Sequence, residues 1–245
     1  MSTDQPATDS LDLRAEVERY PWYHTLEFPG GIVTTAMFDH RPVLDRYPIP
    51  ADLSGMRCLD VGTMDGFWAF EMERRGAESV TAIDLDDPEA SDWPASLRSS
   101  DKALDETKAQ RFALAKRVLG SRAERVTLSV YDLSRDFGTF DFVFCGDLLL
   151  HLKDPVTAVE RMREVCTGSA VIVNTIKRFR FRERVPLAQF EGIDEFVWWH
   201  MNLAGLMRIV RAAGFPRVEA AEPFELPFAT GGKWRGLRGA VRAYV

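Results

Sequence analysis

The chain has 245 residues, 46% of them apolar and 28% charged, and a formal net charge of −6. This composition fits a soluble globule large enough for one domain with an added segment, and the acidic balance excludes a general polyanion binder while leaving a local basic patch open. With no apolar span of about eighteen residues and no basic-then-apolar leader, a cytoplasmic protein away from the membrane is expected, its cysteines Cys58, Cys145 and Cys166 reduced and buried.

Residues 1–10 are polar and read as frayed. Leu11–Tyr20 is a short amphipathic helix ended by Pro21. Alternation from Tyr23 to Phe28 predicts an extended cover, and Pro29, Gly30 and Gly31 make a turn. Ala36–Tyr47 reads as a helix interrupted near Pro42. This N-terminal cover, 1–50, precedes a core domain, 51–245. In the core, strand and helix alternate. Strands are predicted at Met56–Val61, Ser79–Asp84, Arg125–Val130, Phe140–Cys145 and Ala170–Asn174. Helices are predicted at Asp65–Arg75, Lys102–Leu119, Pro155–Cys166 and Glu195–Ala213. Val218–Ala221 and Leu237–Tyr244 are two final strands joined by a long loop, which makes the last one antiparallel. The pattern predicts an α/β fold, a doubly wound, mostly parallel seven-stranded sheet with helices on both faces.

Ligands of such sheets sit at the carboxyl ends of the strands. The first strand ends in Asp60-Val61-Gly62-Thr63-Met64-Asp65-Gly66, a glycine turn that lets a ligand approach the backbone and leads into a helix N-terminus. Its glycine spacing does not fit the dinucleotide fingerprint Gly-x-Gly-x-x-Gly. Asp84 and Leu85 follow the second strand, Asp132 and Leu133 the third, Cys145 and Gly146 the fourth. Three acids in register, Asp84, Asp132 and Asp147, suit adenosine: Asp84 for the ribose hydroxyls, Asp132 for the adenine amino group, with Leu85 or Leu133 against the ring and Gly146 for close passage of the ligand's far end.

The turn fits Asp-x-Gly-x-x-x-Gly, which resembles the first motif of class I S-adenosylmethionine methyltransferases, with Met64 where their middle glycine usually stands. Phe142 to Pro155, Trp198-Trp199-His200 and Leu206 to Phe215 resemble the family that includes the tRNA wobble-uridine carboxymethyltransferases, over roughly residues 22–220. The resemblance implies a Rossmann-like methyltransferase with S-adenosylmethionine as cofactor. It implies a cover around Trp22–Arg46, including Tyr23, that helps close the cofactor site. Leu150 replaces that family's tyrosine and no lysine lies between residues 1 and 50, so plain S-adenosylmethionine is expected rather than its carboxylated form. The expected reaction is O-methylation of a small-molecule metabolite. Modification of a tRNA wobble uridine is the alternative. His151, just past the tip of the fourth strand, is the first candidate for a general base and His24 the second. Trp198, Trp199 and His200 would line the acceptor pocket. Arg178 and Arg180, in the cationic run Lys177–Arg184, would hold an anionic acceptor. No metal is expected.

Overall fold

The apolar runs become the strands of one sheet. In the computed structural model, which describes residues 12–98, 107–192, 196–229 and 235–245, they are β1 (Arg57–Val61), β2 (Ser79–Asp84), β3 (Glu124–Thr127), β4 (Phe140–Gly146), β5 (Cys166–Thr175), β6 (Arg217–Ala220), β7 (Phe224–Pro227) and β8 (Arg235–Tyr244). Their spatial order is β6-β8-β5-β4-β1-β2-β3, with β7 also paired to β8. Strands β1 to β5 run parallel, and β8 is antiparallel to β5. This is the expected doubly wound sheet. The chain leaves β1 toward β2 and β3, then returns to the other side of β1 as β4. Strand order therefore reverses between β1 and β4, and a ligand crevice opens at their carboxyl ends.

Side-chain alternation along β4 divides the core in two. Phe142 and Phe144 face one side of the sheet, among Trp68, Phe70 and Phe112. Val143 and Cys145 face the other, among Met162, Leu206 and Val210. Helices α1 (Phe67–Arg74) and α2 (Lys108–Leu119) cover the first face, and α3 (Pro155–Val165) and α4 (Leu203–Ala212) the second. The N-terminal cover joins the first face through Trp22, Phe28 and Tyr47. The three cysteines are free and buried, and burial pushes the thiols of Cys58 and Cys166 up to about 12 and about 11.

Several expectations need correction. Ala36–Tyr47 is not a helix. Ala36–Phe38 is a strand parallel to Trp22–His24, and a 3-10 turn occupies Arg41–Arg46. The Asp39 carboxylate accepts from the Arg41 N–H at 3.1 Å and starts that turn locally. The helix expected from Glu195 begins only at Leu203. Trp199–Met201 pairs with Ala188–Phe190 instead, and buried Asn202 caps α4 by accepting from the Gly205 N–H at 2.8 Å. Glu195 itself, residues 1–10 and the start of the Lys102 helix lie outside the described residues. The loop between the last two strands contains β7. Its register is offset by one from that of β6 (Phe224↔Arg238 against Arg217↔Tyr244), and Pro223 between them has no N–H for the ladder.

Candidate active site

Two hollows open at the strand tips. A cleft of about 660 Å³, partly open to solvent, runs over the ends of β1, β2 and β3 and is lined by Gly62, Asp84, Leu85, Ser129, Tyr131 and His151 among others. A smaller, nearly closed pocket lies at the tip of β4, between Gly146 and Asp147 on one side and Tyr23, His24, His40 and Tyr47 of the cover on the other.

The turn after β1 is built for close approach. Gly62 sits at φ 80° and its N–H donates to the Ile83 carbonyl at 2.9 Å. Gly66, at φ 95°, caps α1; a Cβ there would lie 2.6 Å from the Phe70 ring and 2.7 Å from Phe112. Met64 adopts φ 51°, so the left-handed position is kept without its glycine. Its N–H donates to Asp84 Oδ2 at 2.7 Å, tying the turn to the end of β2. Asp84 Oδ1 accepts from the Leu85 N–H at 2.7 Å and from Lys108 Nζ at 2.6 Å.

Asp60, 1% exposed, has an Oδ2 with no hydrogen-bond partner among the described residues, and burial pushes its carboxyl up to about 7. A buried carboxylate oxygen without a partner beside a glycine turn suits a cationic group, since a charge there would supply that partner. Thr63 is fully buried in the same turn. Asp65 is committed to the cover. Its Oδ2 accepts from the Tyr23 and His24 N–H groups at 2.8 and 3.0 Å, and Oδ1 accepts from His24 Nδ1. Arg111 Nε lies 3.8 Å away. A carboxylate only accepts here, so Nδ1 carries the hydrogen and Nε2 is left for the pocket.

His151 follows β4 on a 3-10 turn, Leu149–His151, and faces the cleft. Its Nδ1 donates to the Phe196 carbonyl, which leaves Nε2 as the acceptor, and burial pulls its pKa below the ordinary imidazole value. His24 faces the β4-tip pocket, about one ring from His40 at 5.3 Å. The two candidate bases therefore sit in different hollows.

The third strand end differs from the sequence reading. Ser129 caps a 3-10 turn, Val130–Asp132, that rotates Asp132 into solvent and Leu133 into the core. Ser129, Val130 and Tyr131 line the cleft in their place. The Cys145 side chain is buried in the second core, whereas Gly146 lines the pocket. Trp199 and His200 pair with Phe190 and Gln189, and Trp198 directly precedes them. They line neither hollow, but Trp198 Nε1 donates to the Asp92 carbonyl at 2.6 Å, and Asp92 lines the cleft. Asp92 also accepts from the Tyr131 hydroxyl at 2.6 Å and the Lys153 N–H at 2.9 Å, which pins the loop after β2 over the cleft. Arg178 and Arg180 lie on an exposed, turn-rich segment and line neither hollow. Lys108, Ser129 and Asp92 carried no signal in the sequence, whereas Tyr131 and Asp147 stand at strand ends beside Asp132 and Gly146. In the structure Asp147 adopts φ 48° and receives Arg238 Nε at 2.6 Å.

Known proteins share this fold. The sequence profile of the family described as "Methyltransferase domain" matches residues 38–220. A tRNA U34 carboxymethyltransferase of Dichelobacter nodosus is 27% identical over 170 residues, 68% of this chain and 47% of that protein. A ubiquinone biosynthesis O-methyltransferase of Alkalilimnicola ehrlichii is 32% identical over 147 residues, 56% of this chain and 52% of that one. The matched region thus spans about half the length of these curated relatives. Among solved structures, the N-terminal domain of EvdMO1 with SAH bound superposes with a TM-score of 0.62 at 16% identity, covering 96% of this chain and 97% of that one. The 1,6-didemethyltoxoflavin-N1-methyltransferase of Burkholderia thailandensis gives 0.52 at 17% identity, over 78% and 71% of the two chains. With three quarters of its length inside that profile, and with the glycine turn, the β2 acid and the reversed strand order in place, the chain belongs to the methyltransferase-domain family of enzymes.

Proposed function

We propose that the protein transfers a methyl group from S-adenosylmethionine to an oxygen of a small-molecule metabolite. The donor's sulfonium makes the methyl electrophilic, and the protein's task is alignment, for which effective molarity supplies about 7–11 kcal/mol. Asp84 holds the ribose at the cleft, Gly62 admits the donor close to the backbone, and Asp60 takes the cationic amino group. His151, whose imidazole burial keeps neutral, is the first candidate to remove the acceptor hydroxyl's proton through Nε2, and His24 is the second. The observation that carries the small-molecule reading is the β4-tip pocket. His24, His40, Tyr47 and Trp68 are each 4% exposed and Phe38 is 8% exposed, so a base carried on a polynucleotide would have to lift the cover to enter. The buried free thiols support a reducing compartment such as the cytoplasm.

Modification of a tRNA wobble uridine is the second reading. It is favoured by the exposed arginines of 178–184 and by the named activity of the Dichelobacter relative. Calorimetry with S-adenosylhomocysteine tests the donor site: a folded Asp84→Ala protein should bind about 100-fold more weakly, and unchanged affinity would remove Asp84 from the ribose. Radiolabelled methyl transfer to a metabolite extract against bulk tRNA separates the two acceptor classes.

A further inference from the structure

A carboxylate that reads a ribose by itself accepts from both vicinal hydroxyls, which takes two free acceptor positions. Asp84 has only one. Each carboxylate oxygen offers about two positions. On Oδ1 both are filled, by the Leu85 N–H at 2.7 Å and Lys108 Nζ at 2.6 Å. On Oδ2 one is filled by the Met64 N–H at 2.7 Å. The two backbone donors are fixed, because Leu85 directly follows Asp84 and Met64 belongs to the left-handed turn at φ 51°.

Lys108 is the unusual group. It opens α2, is 1% exposed, and lines the same cleft as Asp84. Lysine is rarely buried this far unless paired, and a single buried ion pair does not by itself offset the loss of water around the ammonium. Among the described residues its hydrogen bond goes to Asp84 and uses one of three N–H groups. The neighbouring charges are otherwise engaged: Arg125 pairs with Asp86 at 2.6 Å, and the Thr127 hydroxyl donates to Asp86 at 2.6 Å.

We infer that Lys108 reads the ribose together with Asp84: Asp84 Oδ2 accepts from one hydroxyl, and Lys108 Nζ, still paired to Oδ1, donates to the oxygen of the other. The site then demands one hydroxyl as a donor and the other as an acceptor. The inference rests on the adenosine reading of the cleft.

The test is calorimetry of S-adenosylhomocysteine and its 2′-deoxy and 3′-deoxy analogues against the wild type and Lys108→Met. Wild type should bind each deoxy analogue about tenfold or more weakly, the range of a charge-assisted hydrogen bond. In Lys108→Met one of the two penalties should fall to within about twofold, while the other persists. Two intact penalties would overturn the inference. So would tighter binding of S-adenosylhomocysteine by the variant, which would make Lys108 a plug that the ribose displaces. Wild type that binds none of the three ligands would instead overturn the donor reading itself. Should Lys108→Met fail to fold, ¹⁵N-lysine NMR of the wild-type protein decides. The Lys108 ammonium signal should shift with S-adenosylhomocysteine and not with the analogue lacking the contacted hydroxyl, and equal shifts with both would overturn the inference.

Discussion

Asp60 and His151 show how burial prepares a single side chain. Burial holds the Asp60 carboxyl near pH 7, so at neutral pH it is only partly ionised. Its folded value is raised, so stability falls as pH climbs from about 4, where the unfolded chain releases that proton, to about 7. A cationic donor selects the ionised form. Binding at pH 6.5 should therefore release part of a proton, measured by calorimetry in two buffers of different ionisation enthalpy. Asp60→Asn should abolish the release and weaken binding by about tenfold or more. For His151 the shift is downward, again from burial, so the neutral imidazole is present through the physiological range. Activity on a hydroxyl acceptor should fall only below the ordinary imidazole range, as the ring takes a proton. His151→Ala should lower kcat by about 100-fold with donor affinity unchanged. Near-normal kcat would make His151 structural; the same result in His24→Ala would leave alignment alone as the source of rate.

At the scale of elements, Asp65 fastens the cover to the turn after β1. It receives two backbone N–H groups and the His24 ring, and it is fully buried. Burial by itself would raise its carboxyl, but the His24 contacts and nearby Arg111 outweigh it and hold the group below the usual range. The folded value is depressed, so the stability from Asp65 is full above about pH 4 and is lost as pH falls below that. Asp65→Ala leaves buried donors without their acceptor and should cost about 3–5 kcal/mol in chemical denaturation. The loss should appear first as faster amide exchange over residues 22–40, because the strands around β1 keep their own ladders. Uniform exchange across the sheet would mean that cover and core unfold as one unit.

For the whole molecule, the question is how an acidic chain meets its acceptor. The positive charge is local. Arg178, Arg182 and Arg184 are exposed, Arg180 lies over the Phe181 ring at 4.9 Å, and Phe181 is 89% exposed. The segment stands off the cleft, so its reach to an acceptor depends on the acceptor's size. If it holds an anionic acceptor, replacing Arg178, Arg180, Arg182 and Arg184 with Gln should raise the acceptor KM several-fold and leave donor affinity unchanged. Added salt should mimic the effect, because exposed contacts are screened over about 8–10 Å. Unchanged acceptor kinetics would make the segment a solvated loop.

Local patterning made much of this legible. The apolar runs identified the strands, and the helix expected to stop at Leu119 does so, with Gly120 at φ 63° as its cap. Tertiary structure decided the partners. Asp65 reads like a ligand residue of the glycine turn, yet the cover, forty residues earlier in the chain, takes its oxygens. Asp132 and Ser129 are three positions apart, and a single 3-10 turn exchanges which of them meets the cleft. Lys108 looks like any helix lysine until α2 packs it against Asp84, twenty-four residues away. Backbone periodicity is set by neighbours in sequence, whereas the pairing of a buried charge is set by whichever opposite charge the fold brings within hydrogen-bond reach, and that choice is made only when the layers close.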